Sequence, residues 1–252
     1  ATYISYYTVT WRQPAKRITC VYFYFDHDII SHMAIRYRTL SVAHKYKSVL
    51  FPFDVYGFVK FLPSLGFILT EKLSDELPQG FQLSVSGIVA RKADIAVRID
   101  SEKQVFAIHG PESKGVLAEF NEFEKTLKQE MGFDSAGIVH YYEIVAGVAM
   151  KATGDASKIL AEHYAGIKYT TAVSKAFGVE LAPFGIRLTT AGASPNQENW
   201  LELKIFPELP DGKNRFIFDV IYRNSDKMQF NDFVKNLDER LSTILNLTHK
   251  GT

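Results

Sequence analysis

Asp26, His27 and Asp28, with His32 beyond them, form the densest group of metal-binding side-chain types in the chain. Carboxylates and imidazoles ligate divalent ions, and Asp28 and His32, four apart, would share a helix face. The group follows the strand-like run 21–25, VYFYF, where Asp-His-Asp opens a turn, and no second ligand group accompanies it. A turn is expected, and no metal is assigned. His109 before Gly110 and Pro111, His140 in the run VHYYE, and His163 beside Glu162 could each serve as a general base if given a partner. None has a partner recognisable from spacing, so structural roles are expected; His44 and His249 read as exposed. The sole cysteine, Cys20, excludes an internal disulfide and a cysteine zinc site, and reads as a small buried apolar residue. Phosphate-cradling glycine loops, the nucleophile elbow and the HExxH pattern are absent from the sequence. No catalytic residue and no cofactor is assigned, and a non-enzymatic role is expected.

Binding chemistry has more support than catalysis. Residues 1–50 hold Arg12, Lys16, Arg17, Arg36, Arg38, Lys45 and Lys47 against Asp26 and Asp28, whereas the remainder of the chain is net acidic. The same segment is rich in aromatic rings, Tyr22 and Tyr24 among them. Cations that meet phosphates, interleaved with rings that stack on bases, are the equipment of single-strand nucleic-acid binding. Arg36 and Arg38, with Lys45 and Lys47, are placed to alternate onto one strand face as a cationic stripe. The competing reading is an ordinary solvated strand face, and the overall pI near 8.0 lies below that of a typical nucleic-acid-binding domain.

The elements that must position these residues are short strands and amphipathic helices. The chain has 252 residues, 46% hydrophobic and 23% charged, with a net charge of +1, which excludes disorder and low complexity. The most apolar stretch, 48–70, contains Asp54, Lys60, Pro52 and Pro63, so no membrane span is expected. No signal peptide is visible, and a reducing cytoplasm is the expected compartment. Residues 120–127, FNEFEKTL, recur as residues 230–237, FNDFVKNL. Strand-like runs precede each copy: 81–87, 93–100 and 104–109 before the first, 184–190, 200–206 and 215–221 before the second. Upstream of these lie a helix at 55–65, capped by Asp54, and another at about 157–177, each preceded by further strand-like sequence. Ser113 and Ser225 are candidate caps for the closing helices, whose stripes Val116, Phe120, Phe123, Leu127, Met131 and Phe230, Phe233, Leu237, Leu241, Ile244 should face a core.

The expected fold is therefore α+β. It is an internal tandem duplication, residues 1–133 and 134–252, each an antiparallel sheet with helices on one face. Two sheets, or one continuous curved sheet, fit this pattern equally. The order of elements resembles, in layout, the duplicated fold of the TATA-box-binding protein, although these repeats are longer and lack paired intercalating phenylalanines. Helix-grip proteins, which enclose apolar ligands between a sheet and a long helix, share much of the same order. Two functions follow as expectations: a non-enzymatic nucleic-acid-binding module using the basic, aromatic-rich amino-terminal strands, or a binding protein for an apolar small molecule in a helix-over-sheet pocket.

Overall fold

Leu40, Val42, His44 and Tyr46 recur at every second position, and that spacing builds the first strand of the computed structural model, β1 (Ile35–Tyr46). The structure describes residues 35–48, 50–73, 83–163, 168–209 and 214–250, all within the unit Ala34–Thr252. After β1 come helix α1 (Val55–Phe61), strands β2 (Ile68–Leu69), β3 (Ser86–Lys92), β4 (Ile95–Asp100) and β5 (Val105–His109), and helix α2 (Ser113–Glu130). The chain continues through β6 (Val139–Lys151), α3 (Ala156–His163), α4 (Lys168–Phe177), β7 (Ile186–Thr189), β8 (Trp200–Pro207), β9 (Arg215–Asn224), α5 (Lys227–Lys235) and α6 (Leu237–Lys250). The fold is mixed α+β, with one nine-stranded antiparallel sheet in the order β2-β3-β4-β5-β1-β6-β9-β8-β7. The strands are continuous, not divided between two sheets.

Local chemistry explains most boundaries. Asp54 caps α1 by accepting from Tyr56 N at 3.1 Å; Pro63 lies in a 3-10 turn over Leu62–Leu65, and Gly66, at φ +81°, ends it. The expected caps Ser113 and Ser225 are each one residue away from the observed ones. Ser113 is the first, buried residue of α2 after Glu112, and Asp226 caps α5 by accepting from Met228 N and Gln229 N. The helix expected over 157–177 coincides with α3 and α4, residues 164–167 lying outside the described residues, and the last helix is interrupted at Asn236. The run 81–87 was expected as a strand, but β3 starts only at Ser86. Its partner fixes this: Lys92 pairs with Ile95 across a tight turn at Ala93 and Asp94, and counting back from that turn sets the ladder.

The helices supply the core with phenylalanine. Phe120 and Phe123 of α2 pack with Phe58 of α1 and Phe106 of β5, at centroid separations of 5.7–6.3 Å, mostly edge to face. Phe216, Phe218 and Phe230 are fully buried in the other half. Val116, Leu127, Leu237 and Leu241 complete the two stripes as buried residues, while Met131, Phe233 and Ile244 only flank the core. Phe233 stacks on Tyr222 at 3.8 Å beneath the Arg240 guanidinium.

His44 corrects the sequence reading. It is fully buried against Phe120, 4.3 Å between ring centroids, with Nε2 3.1 Å from Glu124 Oε1 and Nδ1 3.1 Å from the Tyr46 hydroxyl. Glu124 also accepts from Ser135 Oγ at 3.1 Å and pairs with Lys227 of α5. Burial alone pushes the carboxyl up, but its contacts with His44 and Lys227 prevail and hold it below the ordinary range, so it stays ionised. Burial lowers the His44 pKa and favours the neutral ring. His249 is half-buried, and its Nε2 accepts from Thr153 N at 3.2 Å.

These depths set a stability order. Phe120→Ala should cost about 3–5 kcal/mol, the usual toll of emptying a closed aromatic site, and Phe233→Ala clearly less, since its site is already partly open. Equilibrium denaturation of the two variants checks it; equal losses would mean that Phe233 is as enclosed as Phe120.

Candidate nucleic-acid interface

Every helix with buried side chains packs against the same face of the sheet. Val55, Phe58, Val116, Phe120, Leu160, Phe230 and Leu241 share one core with Leu40, Val42, Ile144, Val148, Ile205 and Phe218. The side chains in alternate register point to the opposite face, called the open face because no helix of the described residues packs on it, although Ile217 and Trp200 there are buried.

A bulge decides which residues of β1 reach it. Arg36 and Lys45 are an odd number apart and would lie on opposite faces of a regular strand. Pairing with β6 shifts by one between Tyr37 and Thr39, so that Ile35 and Tyr37 before the bulge, and Leu40, Val42, His44 and Tyr46 after it, all face the helices. Arg36 and Lys45 therefore both project onto the open face. Arg38, at the bulge, points the same way, 3.7 Å from Glu208 and close to Asp219. Lys47 lies just beyond the strand and is exposed. Arg12, Lys16, Arg17, Tyr22 and Tyr24 lie outside the described residues.

The strand registers add cations that the sequence reading passed over. Arg91 of β3, Arg98 of β4, Lys151 of β6, Arg187 of β7, Lys204 of β8, and Arg215 and Arg223 of β9 all stand out of phase with the buried positions of their strands. Strand carboxylates on this face are fewer: Asp100, Glu143, Glu202 and Asp219. Most are held by cations. Arg187 and Lys204 flank Glu202 at 2.9 and 3.0 Å, Arg98 and Lys103 flank Asp100 at 3.8 and 3.6 Å, and Arg223 pairs with Glu143. Bonds to Arg187 and Lys204 hold the Glu202 carboxyl below its usual range. Glu208, just past β8, is similarly bracketed by Arg38 and Arg215, each at 3.7 Å. Between the charged groups the floor changes along the sheet: Ser41, Ala43, Ala96, Ala107, Gly147 and Ala149 make it small at the centre, while Val145, Ile217, Ile221, Trp200 and Phe206 make it bulky and apolar over β6, β9 and β8.

Among the clefts lined by described residues, two are open to solvent. One, of about 520 Å³, is lined by Lys45, Lys47, Ser48, Gln104 and the His140–Glu198 pair, whose atoms are 3.0 Å apart. The other, of about 410 Å³, lies over Tyr222, Met228, Phe233 and Arg240. Among the described residues no group of three or more potential ligands is placed to hold a metal ion, and no helix is long and apolar enough to cross a membrane. Comparison with protein-family models, with curated proteins and with solved structures finds no match for this chain.

His109 gives the open face a pH dependence. It stands between Ser41 and Ala96, and burial, with Arg98 and Arg91 nearby, lowers its pKa from 6.5 to about 4. Below pH 6.5 the unfolded chain takes up a proton that the folded chain refuses. Stability should therefore fall between about pH 6.5 and 4, by about 3 kcal/mol from this residue, and level off below that. Denaturant midpoints of the native chain and His109→Gln across this range measure it; the variant should lose most of the slope, and parallel curves would refute the assignment.

Proposed function

We propose that the chain is a non-enzymatic nucleic-acid-binding module, built as a tandem duplication of residues 1–133 and 134–252, that meets the phosphate backbone with the open face of its sheet. One observation carries the reading: cations outnumber carboxylates on that face, and those carboxylates are largely neutralised by arginine and lysine neighbours. The helices show no such imbalance: in α2, Glu119, Glu122, Glu124 and Glu130 stand among Lys114, Lys125 and Lys128, and in α5 and α6, Asp232, Asp238 and Glu239 stand among Lys227, Lys235, Arg240 and Lys250. An excess of cations on one sheet face attracts a polyanion to that side of a nearly neutral protein.

Support for the duplication comes from sheet order. Read outward from the central pair, the first half runs β1, β5, β4, β3 and the second β6, β9, β8, β7, and the matched helices α2 and α5–α6 bury Phe120 with Leu127 and Phe230 with Leu237. The alternative, an apolar small-molecule pocket, receives less support, because the phenylalanines between helices and sheet pack against one another.

Labelled single-stranded oligonucleotides titrated at several salt concentrations test the reading. Affinity should fall with salt, with a slope in log K against log salt of about −0.7 per phosphate neutralised. Arg36→Ala with Arg38→Ala should flatten that slope by about 1.4, and Arg98→Ala with Lys204→Ala should do the same from other strands of the face. The first pair carries the amino-terminal stripe; the second tests the wider face. No binding at low salt, or binding indifferent to salt, would remove this reading and favour the apolar pocket.

A further inference from the structure

The two ends of the sheet differ. Outside β3 lies a further strand, β2, whereas the corresponding place outside β7 holds no strand among the described residues. Beside that open edge the protein exposes its densest run of large apolar side chains. Phe177, Val179, Leu181, Phe184 and Leu188, within twelve residues, are 40% to 74% exposed. Leu181 N donates to Ser174 Oγ at 3.0 Å, which ties this run to α4, and residues 170–177 of that helix include no fully buried side chain. A free strand edge next to an apolar patch is an interaction surface that monomeric proteins ordinarily avoid.

We infer that β7 pairs with β7 of a second copy, antiparallel, about a two-fold axis beside Leu188. The hydrogen-bond phase selects this register. Thr190 N donates to Leu201 O at 2.9 Å, so Thr190 faces β8, and by alternation Leu188 does too. Arg187 and Thr189 consequently turn their N–H and C=O groups to the open edge. With Leu188 opposite its own copy, Arg187 faces the partner's Thr189 in a hydrogen-bonded pair, twice over, and the two Leu188 side chains meet on the helix side. Charge agrees with this arrangement: Arg187 opposes a threonine rather than another arginine, its guanidinium is held by Glu202 at 2.9 Å, and each copy carries a net charge of only +1. The occupant is a second copy because a two-fold makes this edge its own complement, filling on both chains the lane that β2 fills on the other side. The cationic faces of both copies then look to the same side of one eighteen-stranded sheet. The inference is independent of nucleic-acid binding, since molecular mass reports it without a ligand.

Sedimentation equilibrium of the full chain, with Leu188→Lys and Thr189→Pro, tests it. Lysine at 188 sets like charges against each other at the axis, and proline at 189 removes an outward-facing N–H while leaving the ladder to β8 intact. Leu188 is more than half exposed, and circular dichroism should show both variants folded. A dimer is expected at about 10 µM, with each variant raising the dissociation constant at least about tenfold. A native chain that stays monomeric at about 100 µM, or a dimer that neither variant weakens, would overturn the inference. So would a dimer lost in Phe177→Glu but intact in Thr189→Pro, which would place the contact on α4 instead of the strand edge.

Discussion

Side chains of a strand alternate, so a strand that must bury Ile35 and Tyr37 as well as Leu40, Val42, His44 and Tyr46 has a parity conflict in its own sequence. The bulge at Arg38 resolves it, and the partner strand is shaped to accept the bulge. Gly147 N donates to Thr39 Oγ1 at 3.1 Å, and a Cβ at position 147 would sit 2.7 Å from that oxygen. Any other residue there would push Thr39 away and unsettle the pairing of β1 with β6. That pairing joins residues 35–46 to 139–150 across the middle of the sheet. Without it there is neither a single sheet nor a single open face.

Once the faces are fixed, cations from separate strands collect on one face of the sheet. The segment 1–50 is basic and the remainder net acidic, which suggests a polar chain with one charged end. In three dimensions, cations contributed from β3, β4 and β6 through β9 join those of β1 on one side of the sheet, while α2, α5 and α6 carry both signs in equal number. A net charge of +1 therefore conceals a strongly basic surface.

Much of the architecture was legible in the sequence. The repeated octamer located both closing helices and three of their buried phenylalanines, and period-two patterning found most of the strands. What escaped notice was whatever depends on a distant partner. The start of β3 is set by β4, the Ser113 and Ser225 caps yield to neighbouring positions, and His44, though in the buried phase of Leu40, Val42 and Tyr46, is matched by an α2 carboxylate that no local pattern announces. The wider cationic face escaped for a different reason. Arg91, Arg98, Lys204 and Arg223 each sit out of phase with their strand's apolar residues, a readable signal, but only the joined sheet shows that the separate strands present them on one side.

The molecule handles ionised groups in opposite ways on its two sides. Inside, Glu124 is surrounded by His44, Ser135 and Lys227, groups from β1, the α2–β6 connection and α5, so a buried carboxylate ties the helix of one half to that of the other. Removing one partner there leaves a charge without compensation, and the arrangement is correspondingly specific. Outside, the carboxylates act as spacers: each flanked one fixes two flexible cations in place and cancels only part of their charge. Proposed phosphate contacts on such a face would gain from cations already ordered, without the full entropy loss of fixing long side chains on binding. The floor between them is alanine, serine and glycine at the centre and apolar Val145, Ile217 and Ile221 farther along, with few hydrogen-bonding side chains other than the charged groups themselves, so a polyanion held by the proposed contacts would be held mainly through its backbone.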